Sequence, residues 1–467
     1  MTDLQNRATA MVHFEAFSSF NSSPSPIFPF GSMNSYKFVF VAPFRWLIKH
    51  LQTAIPSHPS QVPNAHFTVP YSKDWLSRHR ARNTEHKARY AAHKKYGPVI
   101  RIAPTELSIN CLEDDVKTFY GGGFEEEERY SMFSNYSHSV VFSHVYSNSF
   151  IHASEALMEI LRSITYDRFI PRMRVWAETG TPVDIFLENN ALFMDLTSAY
   201  FLGLKNSSNL VEDPDKKTVL QNFEVGLGGL NQGKAAASQA MEDFSRSMAN
   251  RALETLQSKD TNEIGSYPTV YGHICQNPET SEPVSAEIIN HTAAPHEGLS
   301  ITIDSLRLLN AVLMETLRLY PAVLGPFTHQ VPEMGAMIGK YLIPGGVAVS
   351  ASVYTLHRNP DVFPDPLKWN PDRWLDASPE ANKQMMRWHC CFGSGGSMCI
   401  GNHFAVRIMK AVTVAVFKEF QSVIVPETKI EQVEGFIGRP AGYSIMLAFK
   451  RIDAALEKEN PGQTGEP

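Results

Sequence analysis

Apolar residues recur along this chain at helical spacing in several long stretches, with short β-like runs between them. Phe404, Ile408, Met409, Val412 and Val416 fall on one face of a helix predicted over residues 402–420. The same period predicts amphipathic helices over residues 183–204, 235–256 and 308–320, the last closed by Pro321. Residues 75–96 are basic with helix-forming content and stop at Gly97-Pro98, and residues 137–161 carry further helical stretches. Residues 99–102 and 107–109 are short strand-like runs around a turn at Ala103-Pro104. Residues 343–354 predict a second hairpin or short sheet, with Val347, Val349 and Val353 on one face. Residues 422–425 and 443–449 predict late strands, and residues 357–360 and 364–366 read as turns. The element set is mainly α with a small β-rich part.

Polar breaks set the domain organisation. Residues 205–217 and 257–283 read as linkers, the second holding Pro268, Pro278 and Pro283. Residues 1–35, rich in Ser, Phe, Asn and Pro, show no period and read as irregular. The expected division is an irregular, membrane-contacting segment over 1–70, one large domain over 71–453 and a disordered tail over 454–467. No stretch reaches the ~18 apolar residues that cross a bilayer. The nearest, residues 38–48, is interrupted by Pro43 and Arg45, and Trp46, Lys49 and His50 beside it suit a membrane interface. The N-terminal stretch has no apolar core of a secretory signal.

Composition narrows the function classes. A chain of 467 residues that is 43% hydrophobic can bury a large core. A net charge of −6 with both signs interspersed argues against nucleic acid as a partner. Cys111, Cys275, Cys390, Cys391 and Cys399 form an odd, unpatterned set, which fits a reducing compartment rather than a disulfide scaffold.

The densest chemistry lies at residues 392–401, a glycine-rich loop around Cys399 that feeds the helix at 402. Backbone N–H groups and the dipole at a helix N-terminus favour a negative charge, and a thiolate carries one. Three readings are open: a small buried cysteine, a zinc site, or a thiolate ligand for a metal centre such as haem iron. Zinc would draw on His389, Cys390, Cys391, Cys399 and His403, but adjacent Cys390-Cys391 is poor ligand spacing. Upstream, Glu315 and Arg318 share a helix face among Leu313, Leu317 and Leu319, which suggests burial and a third partner in Arg373. Glu297 lies in a run, residues 287–298, that could equally be a plain helix surface.

Glu-x-x-Arg at 315–318, Asn-Pro-Asp-Arg-Trp at 370–374 and Phe-x-x-Gly-x-x-x-Cys-x-Gly at 392–401, in this order, resemble the C-terminal motifs of the cytochrome P-450 family. The likeness runs over most of residues 95–450 and is similar in wording to filamentous-fungal members of secondary metabolism. It implies a mainly helical domain with a small β-rich subdomain around one haem b. Cys399 would be the axial iron ligand, Phe392 would shield the sulfur, Gly395 and Gly401 would permit the loop, and His329 would contact a propionate. Glu297 would be the acid of the oxygen-binding groove. Glu315, Arg318 and Arg373 would hold the structure beneath the cofactor. The resemblance further implies O2 as oxidant, a hydrophobic small molecule as substrate, NADPH used through a membrane-bound reductase, and an endoplasmic-reticulum association, with the cytoplasm as the other location.

The chain also departs from the family pattern. Pro295 stands where the family has Gly, Gly298 where it has Thr, and Ser397 where it has Arg or His. The stretch between Glu297 and Glu315 is short for the family. These departures set up the alternative of a catalytically impaired or haem-poor relative.

Overall fold

The computed structural model describes residues 61–111, 125–126, 155–220, 234–258, 270–271, 306–394, 398–399, 401–426, 428–433, 435 and 437–452, all within the compact unit Thr53–Pro467. The basic stretch that periodicity reads as one helix is two, α1 (Asp74–Ala81) and α2 (Glu85–Tyr96). They part at Asn83, whose φ of 51° is left-handed, a region Asn tolerates better than most residues. Gly97, at φ 103°, ends α2 and donates its N–H to the His93 carbonyl.

β1 (Val99–Ala103) and β2 (Glu106–Ile109) then form the expected hairpin, Val99 opposite Ile109. β3 (Glu125–Glu126) lies on the far edge of the same sheet. Residues 62–69 belong to this part of the fold rather than to an irregular leader. Asn64 bridges Arg101, Ala65 N–H donates to the Arg101 carbonyl at 2.9 Å, and Val62 and Val69 are buried.

α3 (Glu155–Leu161) runs on through a π-helical stretch, Arg162–Phe169, into α4 (Ile170–Thr179). β4 (Val183–Asp184) leads into α5 (Ile185–Leu202), followed by α6 (Lys234–Ser258). Asp184 caps α5. Its Oδ1 accepts from the N–H of Phe186 (3.2 Å) and of Ile445 (3.0 Å), tying the helix start to the last strand. Asp184→Ala is expected to lower stability by about 1–2 kcal/mol, the range for losing an N-cap, read as a chemical-denaturation midpoint shift at constant slope.

α7 (Arg307–Leu319) matches the helix predicted over 308–320. After it come β5 (Phe327–Gln330), the hairpin β6 (Ala336–Ile338) and β7 (Tyr341–Ile343), and β8 (Ala348–Ala351). Of the hairpin or short sheet expected across 343–354, no local hairpin forms, and residues 348–351 join a larger sheet. β8 instead sits inside a five-stranded sheet of order β1-β2-β8-β5-β3, parallel to β2 and antiparallel to β5, and Val353 opens the short helix α8 (Val353–Leu356). Non-local pairing of β8 with β2 wins over the local turn at Gly345-Gly346.

α9 (Asp372–Leu375), α10 (Pro379–Trp388) and α11 (Asn402–Glu419) complete the helices. β9 (Phe420–Ile424), the pair β10 (Gln432–Val433) and β11 (Arg439–Pro440), and β12 (Met446–Arg451) close the chain. The late strands lie two to three residues off the expected positions, and β12 is central in a three-stranded sheet with β4 and β9.

Two cores result. α3, α5 and α11 pack together through Leu157, Leu196, Tyr200, Phe404, Ile408 and Val412, and the Tyr200 and Phe404 rings stack at 4.4 Å. The second core gathers Leu107, Val349, Leu356, Phe363, Trp388 and Cys390 under the five-stranded sheet. The architecture is mainly helical with small sheets. Among the described residues no helix is long and apolar enough to cross a membrane.

Candidate functional site

Glu315 is the centre of a buried network at the end of α7. Its carboxylate accepts from Arg318 Nε (2.8 Å) and Nη2 (2.9 Å), from Arg373 Nε (3.1 Å to each oxygen), from the Asn370 N–H (2.8 Å) and from Trp374 Nε1 (3.0 Å). Glu315 and Arg318 side chains are 0% exposed and that of Arg373 is 6% exposed, so no solvent competes for these bonds. Burial raises the Glu315 carboxyl, but the Arg318 fork, the Asn370 amide and the two guanidinium charges outweigh it and hold the group below its ordinary range.

The two arginines pass this anchoring on. Arg318 Nη1 donates to the carbonyls of His357 (2.8 Å) and Pro366 (2.7 Å), and Arg373 Nη1 donates to that of Pro364 (2.7 Å). The irregular stretch from His357 to Trp374 is thereby wrapped on the end of α7. Sequence spacing brings out Glu315, Arg318 and Arg373. It does not reveal the Asn370 amide and the Trp374 indole, because those contacts exist only once the loop has folded back.

Two buried histidines continue the network toward Cys399. The His357 and His389 rings stack at 5.0 Å with planes 18° apart. A carbonyl can only accept, so His357 Nδ1–H donates to the Arg318 carbonyl (2.9 Å), and its Nε2 accepts from Cys390 N–H (3.0 Å). His389 Nε2–H donates to the Met314 carbonyl (3.0 Å), which leaves Nδ1 as the acceptor facing Cys391 Sγ at 3.6 Å. Burial, with nearby arginine charge, pushes both rings toward the neutral form, His389 down to about 4.

The cysteines then separate by environment. Cys390 is buried, and burial pushes its thiol up to about 12, which disfavours a thiolate. Cys391 is buried beside His389, whereas Cys399 is exposed, two residues before the α11 N-cap. Cys399 N–H donates to the Phe392 carbonyl at 2.7 Å and closes the loop across half-buried Phe392. No side chain caps α11, so its first-turn amides keep their partial positive charge close to the sulfur. The left-handed turn falls at Gly393 (φ 78°), whereas Gly401 has an ordinary φ of −79° and needs no glycine. A Cβ at Gly401 would meet the Cys399 sulfur at 3.8 Å, an ordinary contact.

The zinc reading loses its donors. His389 is bonded to Met314, Cys390 is held as a thiol, and among the described residues no three His, Cys, Asp or Glu side chains are grouped to hold a metal ion. His329 is buried on β5, paired through the backbone with Val349 of β8 and Glu126 of β3. Glu297, Gly395, Pro295, Gly298 and Ser397 lie outside the described residues. Val323, from the segment after Pro321, bridges Ile437 of the late turn, and Gly438 N–H donates to the Ala322 carbonyl at 2.7 Å.

A crystal structure of a cytochrome P450 superposes with a TM-score of 0.66 at 16% identity, covering 84% of this chain and 99% of that one. The cytochrome P450 family model matches residues 256–446, the stretch that contains the Glu315 network and the Cys399 loop. Residues 256–446 match the cytochrome P450 family, and the chain shares that family's fold.

Among its fungal relatives, a P450 monooxygenase of Aspergillus terreus is 38% identical over 164 residues, 35% of this chain and 32% of that one. A second, of Aspergillus niger, is 33% identical over 171 residues, 34% of each chain. Conidiogenone synthase of Penicillium rubens is 24% identical over 399 residues, 70% of this chain and 80% of that one. The chain thus spans about a third of the length of the first two relatives. A P450 implies a haem held by a cysteine thiolate, and the residues of this chain fit one. Cys399 is the exposed thiol at an uncapped helix N-terminus, while its neighbours Cys390 and Cys391 are buried.

Proposed function

We propose that this chain is a haem-thiolate monooxygenase that inserts one atom of O2 into a hydrophobic small molecule. The observation that carries the reading is the placement of Cys399, exposed before uncapped α11 in a loop closed onto Phe392. When bound, haem b supplies O2 activation, and a thiolate ligand favours O–O cleavage. The overall balance takes two electrons and two protons, and yields the oxygenated product and water.

The chain's own residues do the holding. Cys399 would supply the sulfur that holds the haem, Phe392 would cover it, and His329, on β5, would meet a propionate. The Glu315–Arg318–Arg373 network keeps the loop platform rigid. Glu297 would supply protons at the oxygen site. The segment after Pro321, with Val323, Leu324 and Phe327, forms part of an apolar substrate wall. Electrons come from an NADPH-dependent reductase, and the chain works at the endoplasmic-reticulum surface in a fungal secondary-metabolite pathway. The fungal P450 monooxygenases among its relatives support that setting.

The test is the carbon monoxide difference spectrum of the reduced, haem-supplemented chain. The Soret band is expected at the long-wavelength position of thiolate ligation, and Cys399→Ser is expected to abolish it while Cys390→Ser keeps it. A folded chain that takes up no haem would replace this reading with that of a haem-poor relative without monooxygenase activity.

A further inference from the structure

The His357–His389 stack lies outside the motifs that mark the site, yet it is the link between them. Its bonds to the main chain run to two different segments. On one side are the Met314 and Arg318 carbonyls of α7, and on the other is the Cys390 N–H. The α7 end is immobilised by the Glu315 network. Trp374, itself bonded to Glu315, lies perpendicular to His389 with ring centroids 5.5 Å apart. Beyond Cys390, Gly393 N–H returns to the Cys390 carbonyl (3.0 Å), and the Phe392 carbonyl receives the Cys399 N–H (2.7 Å). A phenyl ring in either position would fill similar space but join none of these groups.

We propose that the stacked His357–His389 pair is the positioning element of the cysteine loop, setting where residues 390–392 stand and, through Phe392, where the Cys399 sulfur stands. The proposal rests on Cys399 being the axial ligand. The pair acts through the loop and touches neither cofactor nor substrate. It copies the rigidity of α7 into the loop across two imidazoles, through their bonds to main-chain groups on both sides.

His389→Phe and His389→Gln in the full chain test this. Phe keeps a flat ring and loses both ring-nitrogen bonds, whereas Gln returns an N–H donor near the Nε2 position. In the haem-free protein, amide hydrogen exchange across residues 390–399 is expected to quicken about tenfold in His389→Phe, with α7 unchanged and Gln restoring most of the protection. In the haem-loaded protein, the reduced carbon monoxide band is expected to move from the long- to the short-wavelength position in His389→Phe and to return in His389→Gln.

Unchanged exchange in His389→Phe overturns the proposal. Equal acceleration in α7, or loss of helical circular dichroism, also overturns it, since the pair would then hold the fold in general rather than aim the loop. A wild-type chain without the long-wavelength band would instead sink the axial-ligand reading, and the exchange measurement would still decide whether the pair holds residues 390–399.

Discussion

Glu315→Ala is expected to unfold the proximal part of the molecule rather than trim its stability. The substitution strands two guanidinium groups: Arg318 is fully occluded and the Arg373 side chain is 6% exposed. Breaking a buried ion pair from one side costs roughly 3–5 kcal/mol, because the partner charge stays buried without compensation. The Asn370 amide and the Trp374 indole lose the same acceptor, and each stranded donor adds to that loss. Against the ~5–15 kcal/mol by which domains of this kind are stable, the sum is a large share. The expected readouts are a melting temperature lowered well beyond that of surface controls, poor recovery of soluble protein and little haem uptake. Glu315→Gln should fall between the two, since an amide keeps an oxygen for Arg318 but no charge. A Glu315→Ala chain with native melting behaviour and full haem loading would mean that the network is only an occluded surface contact.

That network also shows how far the sequence carries the argument. Glu315 and Arg318 announce themselves through i, i+3 spacing inside an apolar helix, and Arg373 through the order of the motifs. The same periodicity finds α6, α7 and α11, each of which buries one stripe, and α5, whose last turn is buried on every side. What escapes is whatever depends on contacts between distant segments. β8 pairs in parallel with β2, some 240 residues earlier, and no local pattern encodes that choice. Residues 62–69 look irregular because their order comes from docking on β1. His357 reads as a turn residue and His389 only as a candidate zinc donor, since a buried imidazole and an exposed one look alike in sequence. Their neutral state follows from burial, and their stacking from the packing of distant segments around them. Glu297 is the converse case, a residue legible by resemblance alone, in a stretch outside the described residues.

Those buried imidazoles make acid the second large lever on this fold. His389 and His93 are held down to about 4, and His357 well below its ordinary value, chiefly because burial penalises the charged ring. His93 bonds the Gly97 carbonyl (2.9 Å) and Ser108 Oγ (2.8 Å), so it ties α2 to β2 as a neutral ring. A histidine with a depressed folded pKa binds fewer protons folded than unfolded. Stability is therefore intact above about pH 6.5 and falls as the pH drops toward 4. A shift of this size is worth roughly 3 kcal/mol for each of His93 and His389, and His357 acts in the same direction. Asp195 works the other way, since burial raises its carboxyl, but it is one group against three. Glu85, drawn down to about 2 by Arg89 and Arg80 against its burial, adds acid sensitivity only below about pH 4.5. The melting temperature followed by circular dichroism is therefore expected to be level near pH 7 and above, and to drop steeply between about pH 6 and pH 4. In His93→Gln that slope should be shallower, even if the variant starts from a lower melting temperature at pH 7. A melting temperature that stays constant down to pH 4.5 would mean that these rings take up protons in the folded chain without disturbing it, and that burial is not holding them neutral.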